Sequence, residues 1–379
     1  MRLKDISIYV HIPFCVKKCF YCDFNSFAGM EKLKPYYLDA LIGELKMYAC
    51  KLKGYKVRTL FIGGGTPTTF TLSQLSLILD TISSLYDVDD GAEVTVEANP
   101  GTVSDLMLRG LSLRGVNRLS LGLQARQDHL LKLLGRVHTY EQFLSSYYSA
   151  LKYFGNVNVD IMFGLPGQTM DMWTQTLDAV IGLKPHHVSC YSLTIENNTP
   201  LGDMVKRGIL DLPDEDTERQ MYYEAKRRLL AAGYRHYEIS NFALPGYQCK
   251  HNTAYWTDSE YVGIGAGASS YYDNIRYKNA DDITDYIKKV HKGLLPIEEF
   301  EYVSEREKVI YAIITGLRLI TGINLKEFRE RYHVDLLKEY GDVVEKYGDM
   351  GFLEVKSGFL RFTERGIDVS NTVLSDFLR

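Results

Sequence analysis

One repeating unit governs the first half of the chain. From residue 7 to about 195, a short β-branched apolar run is followed by a Gly-, Asn- or Pro-rich turn and then by a longer segment of helical period. The runs are SIYVHI (7 to 12), TLFIGG (59 to 64), EVTVEA (93 to 98), RLSLGL (118 to 123), NVNVDIMFG (156 to 164) and HVSCYSLTI (187 to 195). Segments such as SQLSLILDTISSLY and TYEQFLSSYYSALKYFG separate them. Several runs are apolar almost without a break, which marks strands covered on both faces, as in a parallel sheet or barrel. Six such units predict an α/β fold built on a partial, open (β/α)6 barrel. In that architecture the loops after the C-terminal ends of the strands carry the chemistry.

After residue 200 the rhythm breaks at an acidic turn, LPDEDTE. A helix to about 232 follows, then the Gly- and aromatic-rich stretch YEISNFALPGYQCKHNTAYWTDSEYVGIGAGASSYY, which reads as short strands and tight turns. With 379 residues, 45% of them hydrophobic, there is material for one large and one smaller domain. The division expected is a barrel region over 1–292, a linker over 293–303 at GLLPIEEFEYVSE, and a smaller, mainly helical domain over 304–379. In that last part three helical segments precede GFLEVKSGFLRFT, which reads as a hairpin, and a final amphipathic helix, an order like that of a winged helix. Such modules often bind nucleic acid. The helices here mix acids and bases, as in NLKEFRERYHVDLLKEYGD, and the net charge is −4. No nucleic-acid footprint is therefore expected, and a cap or protein-contact role is. The start MRLKDISIYVHIP lacks the apolar segment of a signal peptide, and no run of about 18 apolar residues is present, so a cytoplasmic location is expected.

Half of the six cysteines stand in HIPFCVKKCFYC, spaced Cys15-x3-Cys19-x2-Cys22, just after the first strand. A disulfide takes two thiols, and a structural zinc site needs a fourth Cys or His. His11 is nearby but falls inside the strand. Buried structural thiols fit poorly with Lys17, Lys18 and Asp23 around them. Three thiolates at this spacing suit an iron–sulfur cubane, one iron each, and leave the fourth iron open to another ligand. Cys50, Cys190 and Cys249 are scattered singly, which is no disulfide framework.

Other loops add chemistry. Gly63, Gly64 and Gly65, followed by Thr66 and Pro67, let the backbone approach a ligand closely after the second strand, although turns use glycine for their own sake. Glu97 ends the third strand, either as a solvated acid or as an acceptor for a ligand's hydroxyl or amino group. CKHNTAYW (249 to 256) combines a thiol, an imidazole and two aromatics, residue types found more often in cores and turns than on cofactors.

Together with Tyr21 between the last two cluster cysteines, the stretches YVHIPFC, FIGGGTPT, VEANPGT, LSLGLQ, LGRVHT and VDIMFGLPGQT resemble the radical S-adenosylmethionine (SAM) superfamily. Within it the chain is similar to the branch holding oxygen-independent coproporphyrinogen III oxidase (HemN) and the HemW group of haem chaperones. The resemblance implies a [4Fe-4S] cluster on Cys15, Cys19 and Cys22 with SAM at the open iron. It gives Gly64, Gly65 and Thr66 to the methionyl end of SAM and sets Tyr9, Glu97, Gln124, Arg136 and Asp160 around it. HNxxYW, here His251, Asn252, Tyr255 and Trp256, marks the HemW group and implies haem binding, with Cys249 as a competing ligand. Where the oxidase motif continues to a fourth cysteine, this chain has Phe24. The resemblance thus implies a haem chaperone that binds cluster, SAM and haem and hands haem to an acceptor such as a respiratory cytochrome. An electron donor to the cluster and peripheral contact with a membrane-bound acceptor belong to the same expectation. Coproporphyrinogen oxidation in porphyrin biosynthesis is the alternative.

Overall fold

The six apolar runs form strands β1 (Lys4–Ile12), β2 (Tyr55–Gly64), β3 (Asp87–Ala98), β4 (Arg118–Gln124), β5 (Val157–Phe163) and β6 (His187–Ser192). They are seen in a computed structural model that describes residues 3–378. The strands pair in parallel and in chain order. β4 is buried at every position, as its unbroken apolar run requires of a strand with both faces covered. Helices such as Lys34–Ala49, Leu72–Leu85, Tyr140–Leu151 and Met170–Leu183 make the crossovers. Their starts are written locally: Thr71 with Gln74, and Thr139 with Gln142, form capping boxes that satisfy first-turn N–H groups.

The stretch beyond residue 200 extends this sheet at both ends. β7 (Arg235–Glu238) and β8 (Asn241–Ala243) add antiparallel beyond β6. β9 (Tyr261–Ile264) pairs in parallel with the free side of β1, and β10 (Ser269–Tyr272), β11 (Ile275–Asn279) and β12 (Ile297–Tyr302) continue antiparallel. The resulting 12-stranded order is β12-β11-β10-β9-β1-β2-β3-β4-β5-β6-β8-β7. Its two ends do not pair among the described residues, so the barrel is partial, as the six-unit reading expected. Segment 293–303, read from sequence as a linker, contains edge strand β12. Its exposed acids Glu298, Glu299 and Glu301 suit an edge that must not recruit another strand.

Beyond it, helices Glu305–Gly316, Leu325–Tyr332 and Gly341–Asp349 precede the hairpin Leu353–Lys356 and Phe359–Phe362. Ser357 and Gly358 turn that hairpin with φ of 51° and 81°, the left-handed pair a two-residue turn needs. This part has its own core around Ile313, Val343, Leu360 and Phe377, separate from the large cluster under the main sheet. It touches the barrel through Lys226–Glu364 at 2.6 Å and Tyr223–Asp368 at 2.7 Å. Among the described residues no helix is long and apolar enough to cross a membrane.

Candidate functional site

The cysteine loop leaves β1 and is tied down by a two-residue pairing, Phe14–Cys15 against Phe27–Ala28. Phe20 fastens its middle: its N–H donates to the Leu134 carbonyl at 2.9 Å and its carbonyl accepts from Leu201 at 2.9 Å. Its ring lies against Gly135, where a Cβ would stand 3.1 Å from Phe20 and where φ is 76°. The loop faces a cavity of about 410 Å³ at the C-terminal ends of β2 to β6. Cys15, Cys19, Cys22, Gly64, Gly65, Thr66, Glu97, Gln124, Arg136 and Asp160 all line it. Residues from Cys15 to Asp160, far apart in sequence, thus meet on one concave wall. Tyr9 is the exception, and lines an adjoining cavity instead.

Each thiol has its own polar neighbour. Thr66 Oγ1 donates to Cys15 Sγ at 3.7 Å, Arg136 Nη1 donates to Cys19 Sγ at 3.6 Å, and Ser26 Oγ lies 3.9 Å from Cys22 Sγ. Burial pushes the Cys15 and Cys22 thiols up, so a metal must displace their protons on binding. His11 offers no fourth ligand. Its Nε2 donates to the Asn25 carbonyl at 2.8 Å, which leaves Nδ1 to accept from Tyr9 Oη at 2.9 Å. Among the described residues, no three His, Cys, Asp or Glu side chains are arranged to grip a single metal ion. Seating a cubane asks for a wider set, one iron to each thiol.

The glycines are steric necessities. A Cβ on Gly65 would stand 3.0 Å from Cys15 Sγ and 2.9 Å from the Phe14 carbonyl, and one on Gly64 would stand 2.6 Å from the His11 ring. Gly64 also holds φ at 112°, and its N–H donates to Glu97 Oε2 at 3.1 Å. Enclosure, with the Asp160 charge adding to it, pushes the Glu97 carboxyl up to about 7. Enclosure pushes Asp160 up as well, against the hydrogen bonds it accepts from Asn158 at 2.6 Å and Ser120 at 3.4 Å. Gln124 sits at φ 72°, a left-handed conformation uncommon for this residue type. Its Oε1 accepts from Tyr191 Oη at 3.0 Å.

Arg136 reaches in over Gly122, whose carbonyl it meets at 2.8 Å and where a Cβ would come within 3.0 Å of its Nη2. Its Nε is buried without a partner. Asn99, which the sequence reading did not single out, joins the two sides of the cavity: its Oδ1 accepts from Arg136 at 2.5 Å and its Nδ2 donates to Thr66 Oγ1 at 2.9 Å. The signal for it was present, since Asn99 lies inside VEANPGT two positions after Glu97. Tyr191 and Ser26 were also missed, and nothing in their sequence surroundings distinguishes them.

The second cavity, of about 550 Å³, shares Phe24, Gly64 and Glu97 with the first. Tyr9, Tyr255, Trp256, Tyr261 and Tyr271 give it flat aromatic walls. Tyr255 and Trp256 belong to helix Lys250–Trp256, whose start is fixed by Glu93 of β3. That carboxylate accepts from the Lys250 and His251 N–H groups, both at 3.0 Å, where a helix's first turn lacks internal partners. His251 is 1% exposed with both ring nitrogens engaged. Nδ1 bonds Thr59 Oγ1 at 2.8 Å, and because that hydroxyl donates onward to Ser7, Nδ1 carries the proton. Nε2 then accepts from Tyr255 Oη at 2.8 Å. Burial holds this imidazole down at about 3, so it is neutral. Asn252 is half-buried and does not line the cavity. Cys249 is fully buried against Glu93 and, like His251, lines neither cavity.

Three thiols, a guanidinium, two carboxylates and close-packed glycines on one wall fit a cubane and a ligand bearing carboxylate, amine and hydroxyl groups. Comparison with known proteins agrees. The Radical SAM superfamily model matches residues 9–180, and the HemN C-terminal domain model matches residues 303–369. The chain is 37% identical to the haem chaperone HemW of Lactococcus lactis, over 100% of this chain and 98% of the relative. It is 35% identical to that of Bacillus subtilis, over 98% and 99%. Among solved structures it is similar to coproporphyrinogen III oxidase (HemN) from Escherichia coli, with TM-score 0.89 and 22% identity over 100% of this chain and 91% of that one, a likeness of fold. Identity at this level over nearly the whole of both chains, together with the cysteine loop and barrel, establishes that the chain belongs to the HemW family of the radical SAM superfamily.

Proposed function

We propose that the chain is a haem chaperone that holds a [4Fe-4S] cluster and SAM in the thiol-lined cavity, takes haem in the aromatic cavity beside it, and passes haem to an acceptor protein. The observation that carries this reading is the junction of the two cavities, with Phe24, Gly64 and Glu97 common to both and the aromatics of KHNTAYW on the far wall. The radical SAM family implies the cluster and SAM, and the name shared by the curated relatives supports haem as cargo. Cys15, Cys19 and Cys22 would each hold one iron. When bound, the cluster supplies an electron to SAM at the iron that no thiol holds. Around SAM, Gly64 and Gly65 admit the methionyl end, Thr66 lies beside it, the Arg136 fork suits its carboxylate, and Glu97, Gln124 and Asp160 accept from its amino and hydroxyl groups. Tyr9 stands one layer away and donates to His11 Nδ1, whose tautomer the Asn25 carbonyl fixes.

For haem, Tyr255 and Trp256 offer flat faces to the macrocycle. A neutral imidazole is the form that would hold iron, but His251 lines neither cavity, so it would serve only if Tyr255 Oη left Nε2 and opened the way to it. Cys249 serves the barrel interior. The remaining expectations belong to the same proposal: a cytoplasmic location, an electron donor for the cluster, an acceptor such as a respiratory cytochrome, peripheral contact with that acceptor where it is membrane-bound, and a barrel region that leads through edge strand β12 at 293–303 to a capping domain over 304–379.

Phe24 separates this reading from coproporphyrinogen oxidation. It is 64% exposed on both cavities and offers no thiol where the oxidase motif has one. The test is to give anaerobically reconstituted protein coproporphyrinogen, SAM and a reductant, and separately haem plus an apocytochrome. Haem should pass to the apocytochrome while coproporphyrinogen stays unchanged. Accumulating protoporphyrinogen would overturn the proposal in favour of the oxidase.

A further inference from the structure

The aromatic cavity contains a cation whose acidic neighbours are committed elsewhere. Arg276 on β11 holds its guanidinium 3.9 Å from the centre of the Tyr311 ring and 4.8 Å from that of Tyr271, so two rings fix the plane of its fork. Asp258 lines the same cavity, but its carboxylate accepts from Tyr332 Oη at 2.7 Å and faces Arg331 at 3.6 Å. Glu301, opposite Arg276 across the β11–β12 pairing, accepts from Tyr311 Oη at 3.2 Å.

Two N–H donors around this cavity have no acceptor: Arg276 Nε and Trp256 Nε1 are both buried and unpartnered, and both residues are in its wall. Leaving a buried donor unsatisfied is costly, and folded proteins keep few of them unless a ligand or water answers. A flat aromatic pocket with one oriented guanidinium matches a planar ligand carrying a carboxylate on a short arm.

We propose that Arg276 binds a propionate of the haem, anchoring the macrocycle against Tyr255 and Trp256. The inference rests on the haem reading above and adds to it the group that fixes the cargo's orientation. It makes carboxylate recognition a property of the cavity: a fork held between two tyrosines suits a propionate, and an esterified propionate loses the charge that the fork meets.

The test titrates full-length, cluster-loaded protein with haemin and with haemin dimethyl ester, read at the Soret band. The wild type should prefer the diacid by about tenfold or more, the value of one charge-assisted contact. Arg276→Gln should erase that preference while leaving ester affinity within about threefold, which shows the cavity intact, and Arg276→Lys should keep part of it. Failure of the wild type to take up either compound would remove the haem reading itself. Uptake of both with equal affinity, or a preference that survives in Arg276→Gln, would overturn the propionate assignment alone. So would a loss in Arg276→Gln that falls equally on diacid and ester.

Discussion

At Gly64 a single hydrogen atom decides whether the cavity exists. Any side chain there collides with the His11 ring at 2.6 Å and must adopt φ 112°. Gly64→Ala should therefore destabilise the protein by about 2 kcal/mol or more in urea titration, and weaken SAM binding by displacing the N–H that Glu97 receives. Asn99 tests a different dependence. Because it bridges Thr66 and Arg136, Asn99→Ala should lower SAM affinity about tenfold by calorimetry and leave the iron content unchanged. Replacing any one of Cys15, Cys19 or Cys22 by Ala should instead abolish the cluster's visible absorbance, because each thiol would hold its own iron. These single positions were unequally legible. Cysteine spacing and glycine runs carry their chemistry in the residue type, so they stand out in one sequence. Asn99 and Tyr191 act only through what they bridge, and spatial neighbours 33 and 67 positions away leave no mark in a local pattern.

Among the elements, helix Lys250–Trp256 gives Tyr255 and Trp256 to the wall of the aromatic cavity. Seven residues are too few to show a period, so the sequence read it within a stretch of turns and short strands. Its place depends on Glu93, which is buried in β3 and receives two of its N–H groups. Glu93→Ala should cost about 1–3 kcal/mol of stability and reduce haem uptake, because the pinned end of the helix is released. Within the helix, Tyr255→Phe uncovers His251 Nε2 and should shift the Soret band of the haem complex, a change that the double variant with His251→Ala should abolish. The six parallel strands were legible for the opposite reason: long, nearly continuous apolar runs leave little alternative to a covered strand. Strands β9 and β12 were not. β9 is short and joins β1 from more than two hundred positions away, and β12 alternates acids with aromatics in a segment that reads as a linker.

Across the whole molecule, buried polar groups tie late segments onto early ones. Glu44 lies on helix Lys34–Ala49, on the same face as the buried Tyr37, Ala40, Leu41 and Tyr48. The structure buries it completely, accepting from Gly265 N–H at 2.8 Å, Asn279 Nδ2 at 2.7 Å and Tyr286 Oη at 2.6 Å. These contacts hold the β9–β11 region and the following helix against the barrel. Burial raises the carboxyl from its ordinary 4.5 to about 7, the hydrogen bonds resisting that rise. The folded form therefore binds a proton that the unfolded chain releases, and the stabilisation this brings is lost as pH rises from about 4.5 through about 7. Buried histidines such as His251, held below their ordinary range, add a slope of opposite sign up to about pH 6.5, so the comparison carries the test: the urea midpoint of the apo wild type, relative to that of Glu44→Gln, should fall between pH 5 and pH 8.

In the proposed function a radical SAM barrel holds haem beside a cluster. Spectrophotometric titration of anaerobically reconstituted full-length protein with haem tests it most directly, with Trp256→Ala run in parallel. One haem per chain should be taken up saturably, with affinity falling at least tenfold in Trp256→Ala as the cavity loses its flat wall. Non-saturating uptake, or uptake identical in the two proteins, would contradict it.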